Sequence, residues 1–113
     1  MTSFERGNVI IVRFPFTSLA EEKKRPAVTV STREYNDSGE DVIAAAITSN
    51  LSATRRPGDF KIAEWKKAGL LKPSLCKITL FTIEESLIVK KLGKFAEKDK
   101  EKLSKGLKEA LGL

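Results

Sequence analysis

A cation and a pair of hydroxyls stand at the ends of two apolar runs. Lys23-Lys24-Arg25-Pro26 leads into Ala27-Val28-Thr29-Val30-Ser31, and Asp41-Val42-Ile43-Ala44-Ala45-Ala46-Ile47 leads out into Thr48-Ser49-Asn50. Pro26 fixes its own backbone and pushes Arg25 toward an extended conformation, which presents Arg25 at a strand mouth and not on a helix. If the two runs pair as strands, guanidinium and hydroxyl come close enough to hold one anionic group. Arginine suits that task, because its fork makes charge-assisted bonds to two oxygens of a phosphate.

What is missing narrows the chemistry further. The chain has no histidine, which excludes histidine-based acid–base pairs, Ser-His or Cys-His triads and the usual zinc and iron sites. Any catalysis must run on Arg, Lys, carboxylates or hydroxyls, and neither a metal nor another cofactor is expected. Cys76 is the sole cysteine, so no internal disulfide can form, and its apolar neighbours mark it as a small core hydrophobe.

With 113 residues the chain is expected to be a single domain, 1–113. No apolar run approaches the length of a membrane span, and the N-terminus lacks the apolar block of a signal peptide. A cytoplasmic protein without membrane contacts follows as the expectation. The net charge of +6 is uneven. Residues 1–60 carry eight basic and eight acidic groups, whereas residues 61–113 carry thirteen lysines against seven acids. All six arginines fall in the first half. A basic balance suggests a polyanionic partner.

The elements that must position Arg25 and Thr48 are mostly strands. Residues 9–14 are β-branched and aromatic, open after Gly7-Asn8 and close at Pro15, so they read as a central strand. Strands are expected over 27–31, 41–48, 59–62 and 75–82, with strand or mixed structure over 87–95. Residues 41–48 are expected to be buried on both faces. Residues 16–24 read as a charged loop, and residues 32–40 as a turn-rich connection. Residues 97–111 place Leu103, Leu107, Ala110 and Leu111 at helical spacing with lysines opposite, and Gly112 fits a C-cap. Gly106 should weaken that helix by about 1 kcal/mol relative to Ala. Short strands ahead of one helix predict a small α+β domain, mainly β, built as an antiparallel barrel with a C-terminal helix.

Several fragments carry a resemblance. Arg6-Gly7-Asn8-Val9, Phe14-Pro15, Lys24-Arg25-Pro26-Ala27-Val28, the 42–49 run, Gly69-Leu70, Pro73-Ser74-Leu75 and Lys91-Leu92-Gly93-Lys94 together resemble the MazF/PemK toxins. The likeness runs from about residue 5 through the terminal helix. It implies an SH3-like barrel of the CcdB/PemK kind, a homodimer, and a metal-independent endoribonuclease acting on single-stranded RNA. It also implies a cognate antitoxin that lays an extended segment where RNA would bind, and DNA binding by that complex. By matching motif, Arg25 and Thr48 look like the catalytic pair. Ser49 is adjacent, Ser74 matches a serine lining the groove in relatives, and Lys77 is grouped with them as RNA-binding. Lys23 and Lys24 flank Arg25 as candidate phosphate contacts. Phe14 and Phe16 sit two apart across Pro15; Phe14 reads as core and Phe16 as the ring that stacks on a base. Asn8 stands where relatives most often have aspartate, at a position that looks structural.

Two other functions fit an SH3-like domain: a non-enzymatic module binding nucleic acid or peptide, and a CcdB-like gyrase inhibitor. The latter family relies on a Trp-Gly-Ile-like end that Leu111-Gly112-Leu113 lacks.

Overall fold

The computed structural model describes residues 3–14 and 23–113. Six strands form one antiparallel sheet: β1 (Asn8–Phe14), β2 (Lys23–Thr29), β3 (Asp41–Thr48), β4 (Phe60–Lys61), β5 (Leu75–Glu84) and β6 (Ile88–Lys94). Their order across the sheet is β4-β5-β3-β2-β1-β6. Among the described residues two α-helices accompany them, α1 (Arg33–Asp37) and α2 (Glu97–Leu111), with a short 3-10 turn at Glu85–Leu87 between β5 and β6. The fold is thus mainly β with a C-terminal helix, as expected. No described helix is long and apolar enough to cross a membrane.

Alternation along the strands builds two apolar layers. Val9, Val28, Ala45, Ile47 and Cys76 pack on one face beneath Leu103 and Leu107 of α2. Ile10, Val12, Ala27, Val42 and Ala44 pack on the other with Phe4 and Ile83. β3 therefore is buried on both faces. The sheet curls, helped by register shifts between Ala45 and Ala46 and at two points of the β1–β6 ladder. Its two edges approach one another: the ring of Phe60 in β4 meets Phe95, just beyond β6, edge to face at 6.3 Å. The chain leaving β4 also touches β6, where Gly69 (φ 84) sits so close that a Cβ would lie 2.6 Å from the Leu92 carbonyl oxygen.

Three details depart from the sequence expectations. β2 starts at Lys23 and not at residue 27, so Pro26 lies within a strand. Proline is tolerated there because the ladder with β3 begins only at Ala27, leaving residues 23–26 paired with β1 alone. The 32–40 connection contains the short helix α1, whose N-cap hydroxyl of Thr32 accepts from Tyr35 N at 3.2 Å. Asn36 in that helix is buried, accepts from Ser31 Oγ and donates to the Phe4 carbonyl at 2.8 Å, tying the N-terminal segment to the sheet. Along α2, Leu103 and Leu107 are buried but Ala110 and Leu111 are exposed; Leu111 lines an open hollow with Val30, Ile43 and Leu80 of the sheet side.

Cys76 is buried, and burial, reinforced by the negative charges of Asp59 and Asp99, pushes its thiol well above the ordinary range. It is an inert core residue. Asn8 is buried as well, and its Oδ1 accepts from Glu5 N at 2.9 Å, so this side chain closes the turn ahead of β1.

Gly106 explains itself by packing. A Cβ on it would lie 2.4 Å from the Gly58 carbonyl oxygen, so its absence lets α2 lie directly on the β3–β4 connection. Gly106→Ala is expected to destabilise the protein by about 1–3 kcal/mol through overpacking, outweighing the roughly 1 kcal/mol of helix propensity that alanine adds. A denaturation midpoint above that of the wild type would show that the contact yields.

Candidate functional site

The β2–β3 register brings the two halves of the opening constellation together. Ala27 pairs with Ala46 and Val28 with Ala45. Carried two residues past the end of that ladder, the same register sets Arg25 level with Thr48. Side chains alternate along strands, so Arg25 projects with Ala27 and Thr48 with Ala46, on one face at one end of the sheet. Paired residues across a ladder have Cβ atoms about 5 Å apart; Arg25 and Thr48 lie just beyond the last such pair, Ala27 and Ala46.

Each side chain is left able to act. Arg25 is exposed and Thr48 half-buried. Thr48 Oγ1 accepts a hydrogen bond from Asn50 N at 3.1 Å. That bond uses the hydroxyl as acceptor and leaves its proton to be donated outward, as an anion requires. Lys23 and Lys24, both exposed, lie on the same strand, level with Phe14 and Arg13 of β1. Four cationic groups of β1 and β2 thus gather toward this end of the sheet: Arg13, Lys23, Lys24 and Arg25.

Ser49 and Ser74 belong to a different surface. Both line a groove of about 470 Å³ with Ile11, Pro26, Leu71 and Lys90. Ile11 and Pro26 alternate with Val12 and Ala27, so the groove opens on the opposite side of the sheet from Arg25. Ser74 is buried, and its hydroxyl donates to the Lys72 carbonyl at 2.9 Å, which shapes the turn into β5. Leu71 projects from the rim, 93% exposed.

Lys77 is engaged within the protein. Its Nζ pairs with Asp59 Oδ2 at 2.9 Å and donates to the Thr54 carbonyl. Asp59 also accepts from Arg56 N at 2.8 Å and Ile78 N at 2.7 Å. Burial by itself would raise the Asp59 carboxyl, but the N–H groups of Arg56 and Ile78, and then the Lys77 ammonium, hold it below the usual carboxylate range. Phe16 lies outside the described residues. Among the described residues, no three His, Cys, Asp or Glu side chains come together as a metal set.

Sequence reasoning passed over Asp59, Leu71 and Lys90. The Pro57-Gly58 turn signal preceded Asp59, yet nothing local indicated that its carboxylate would gather three donors from two segments. Leu71 was indistinguishable from a core leucine.

Residues 5–111 match the sequence model of the family described as PemK-like, MazF-like toxin of type II toxin–antitoxin system. Compared with curated proteins by sequence, the chain has no match. Its fold is similar to that of solved structures of low identity. An endoribonuclease in complex with its cognate antitoxin, from a mycobacterial species, superposes with TM-score 0.76 at 20% identity, over 100% of this chain and 97% of that one. MazF (Form-I) from Deinococcus radiodurans gives TM-score 0.75 at 17% identity, over 100% of both chains. The MazE–MazF complex (Form-III) from the same organism gives 0.77 at 18% identity, over 99% of each.

The Asp59 cluster yields a prediction on stability. Because the folded carboxyl lies below its ordinary value of 3.8, its contribution is fully present above that value and is lost as pH falls through the folded pKa. Asp59→Asn is therefore expected to lose about 1–3 kcal/mol at neutral pH. The gap from wild type should stay flat between about pH 5 and 8 and shrink under acid, as followed by urea denaturation at several pH values. A gap that widens on acidification would contradict the assignment.

Proposed function

The chain belongs to the family of PemK-like, MazF-like toxins of type II toxin–antitoxin systems, and on that premise we propose that it is an endoribonuclease that cleaves single-stranded RNA without a metal. The observation that supports this reading is the β2–β3 register, whose last pair, Ala27 with Ala46, lies two residues short of Arg25 and Thr48 on their strands.

RNA supplies its own nucleophile. The 2′-oxygen attacks the adjacent phosphorus, the P–O5′ bond breaks, the 2′-hydroxyl proton leaves to solvent and the departing 5′-oxygen takes one up. The products are a 2′,3′-cyclic phosphate and a 5′-hydroxyl. Charge grows on the non-bridging oxygens along the way. Arg25 meets that charge with a permanent cation and two parallel donors, and Thr48 donates its proton to one of the same oxygens. Arginine stays protonated at neutral pH, so its role is charge stabilisation and not proton removal.

Lys23, on the face of Arg25, and Lys24, on the other face of the same strand, are proposed to hold neighbouring phosphates, with Phe16 stacking on a base. Ser49 and Ser74 are proposed to contact RNA from the groove side, while Lys77, whose ammonium is held by Asp59 and the Thr54 carbonyl, acts on RNA binding through the loop that it holds. Solved relatives carry a cognate antitoxin or MazE. By that likeness this chain is proposed to bind an antitoxin of its own, to act as a homodimer and to work in the cytoplasm.

Purified protein is expected to cleave single-stranded RNA in EDTA, leaving 5′-hydroxyl ends that sequencing of the fragments identifies. Arg25→Ala and Thr48→Ala should each lower kcat by on the order of 10²–10³. Full activity of the double variant would sink the site assignment, and RNA that stays intact at high protein concentration would favour a binding module without catalysis.

A further inference from the structure

The connection from β3 to β4 has to cross β5, which lies between them in the sheet. β3 and β4 are both antiparallel to β5, so they run parallel to each other and the chain must double back. Its path is set by Lys77. Lys77 is directly opposite Ala46, and Ala46 is opposite Ala27. The three side chains share a face, the same face on which Arg25 and Thr48 follow two residues along. From there the Lys77 ammonium holds the Thr54 carbonyl and the Asp59 carboxylate, which lays the crossover beside the proposed catalytic pair.

Both ends of the crossover are stiff. Ala53 N donates to the Asn50 carbonyl at 3.1 Å and Ser52 N to Asn50 Oδ1 at 3.1 Å. Asp59 N donates to the Arg56 carbonyl at 3.0 Å while Arg56 N returns to Asp59 Oδ2 at 2.8 Å. Between the turns stand Arg55 and Arg56, both exposed. Neither guanidinium has a partner among the described residues. The nearest carboxylate in sequence, Asp59, is tied up by Lys77 and two backbone donors, so it does not quench them.

We infer that this crossover is a phosphate-binding arm for single-stranded RNA, in which Arg55 and Arg56 grip phosphates flanking the one that is cleaved and the Lys77–Asp59 clasp positions them. The inference rests on the endoribonuclease reading and deepens it. Two adjacent arginines without counter-ions among the described residues form a strong anion site, and a loop already held in shape loses little freedom when RNA arrives. The arm acts on binding, since its guanidiniums are separate from the Arg25–Thr48 pair. Lys77, grouped by sequence with the RNA-binding residues, is on this account a positioning residue.

The test uses the full chain and a single-stranded RNA that the wild type cleaves, with kcat and KM measured over a series of salt concentrations. Arg55→Ala/Arg56→Ala removes two exposed side chains and is expected to raise KM about tenfold while kcat stays within about twofold. The slope of log binding against log salt should flatten by about 1.4, or about 0.7 for each lost phosphate contact on a single strand. Lys77→Met should flatten the slope as well, and Lys77→Arg should restore it. Unchanged KM and slope in the double arginine variant would overturn the arm. A Lys77→Met protein that is less stable yet keeps the wild-type slope would overturn the positioning role. A wild type that leaves every RNA intact would overturn the endoribonuclease reading itself, and the arm with it.

Discussion

β3 is the strand on which everything else is aligned. It is hydrogen-bonded on both sides, to β2 and β5, and covered on both faces, by Val42 and Ala44 on one and Ala45 and Ile47 on the other. A strand buried this way has only one acceptable register. Sliding β3 by one residue against β2 would exchange the two apolar sets and send Thr48 to the face away from Arg25. The juxtaposition at the sheet end is therefore enforced by burial far from it, and the three consecutive alanines let both layers close over the strand without overpacking.

The same economy of space governs the perimeter. Glycine stands where α2 crosses the β3–β4 connection, Gly106 against Gly58, and again where the chain after β4 meets β6, Gly69 against Leu92. These are close backbone approaches that a methyl group would prop apart. They hold the crossover and the groove rim at fixed height around the sheet end. Asp99, fully buried in the first turn of α2, adds a polar anchor: its carboxylate accepts from Ala63 N at 2.8 Å and Glu64 N at 2.9 Å. A buried carboxylate is tolerable because both oxygens are satisfied, and it fastens the segment leading to Leu70 and Leu71.

Charge is sorted by the fold as it is by the chain. The lysines of the second half lie mainly on β6 and α2, whereas Arg25 stands in β2 and Arg55 and Arg56, both exposed, in the β3–β4 connection.

How much of this could be read from the residues depends on the range of the interaction. α2 was legible to its boundaries, and β1 and β3 nearly so, because helix spacing and β-branched runs are local properties. The candidate pair was legible as two residue types at two strand ends, and the resemblance to MazF/PemK toxins supplied a reason to join them. The start of β2 was not legible, since Lys23-Lys24-Arg25-Pro26 has no strand propensity of its own and becomes a strand only by pairing with β1. α1 is too short to show a period. Asp59 and Leu71 were hidden for the same reason: whether a carboxylate gathers donors, or a leucine faces water, is decided by segments distant in the chain. The residues alone indicate the terminal helix and most of the strands, and the absence of histidine limits the chemistry. That Ser49 and Ser74 line one groove with Pro26, and that Lys77 clasps the β3–β4 connection, is visible only in the folded chain, because each depends on register between strands and not on any one strand's residues.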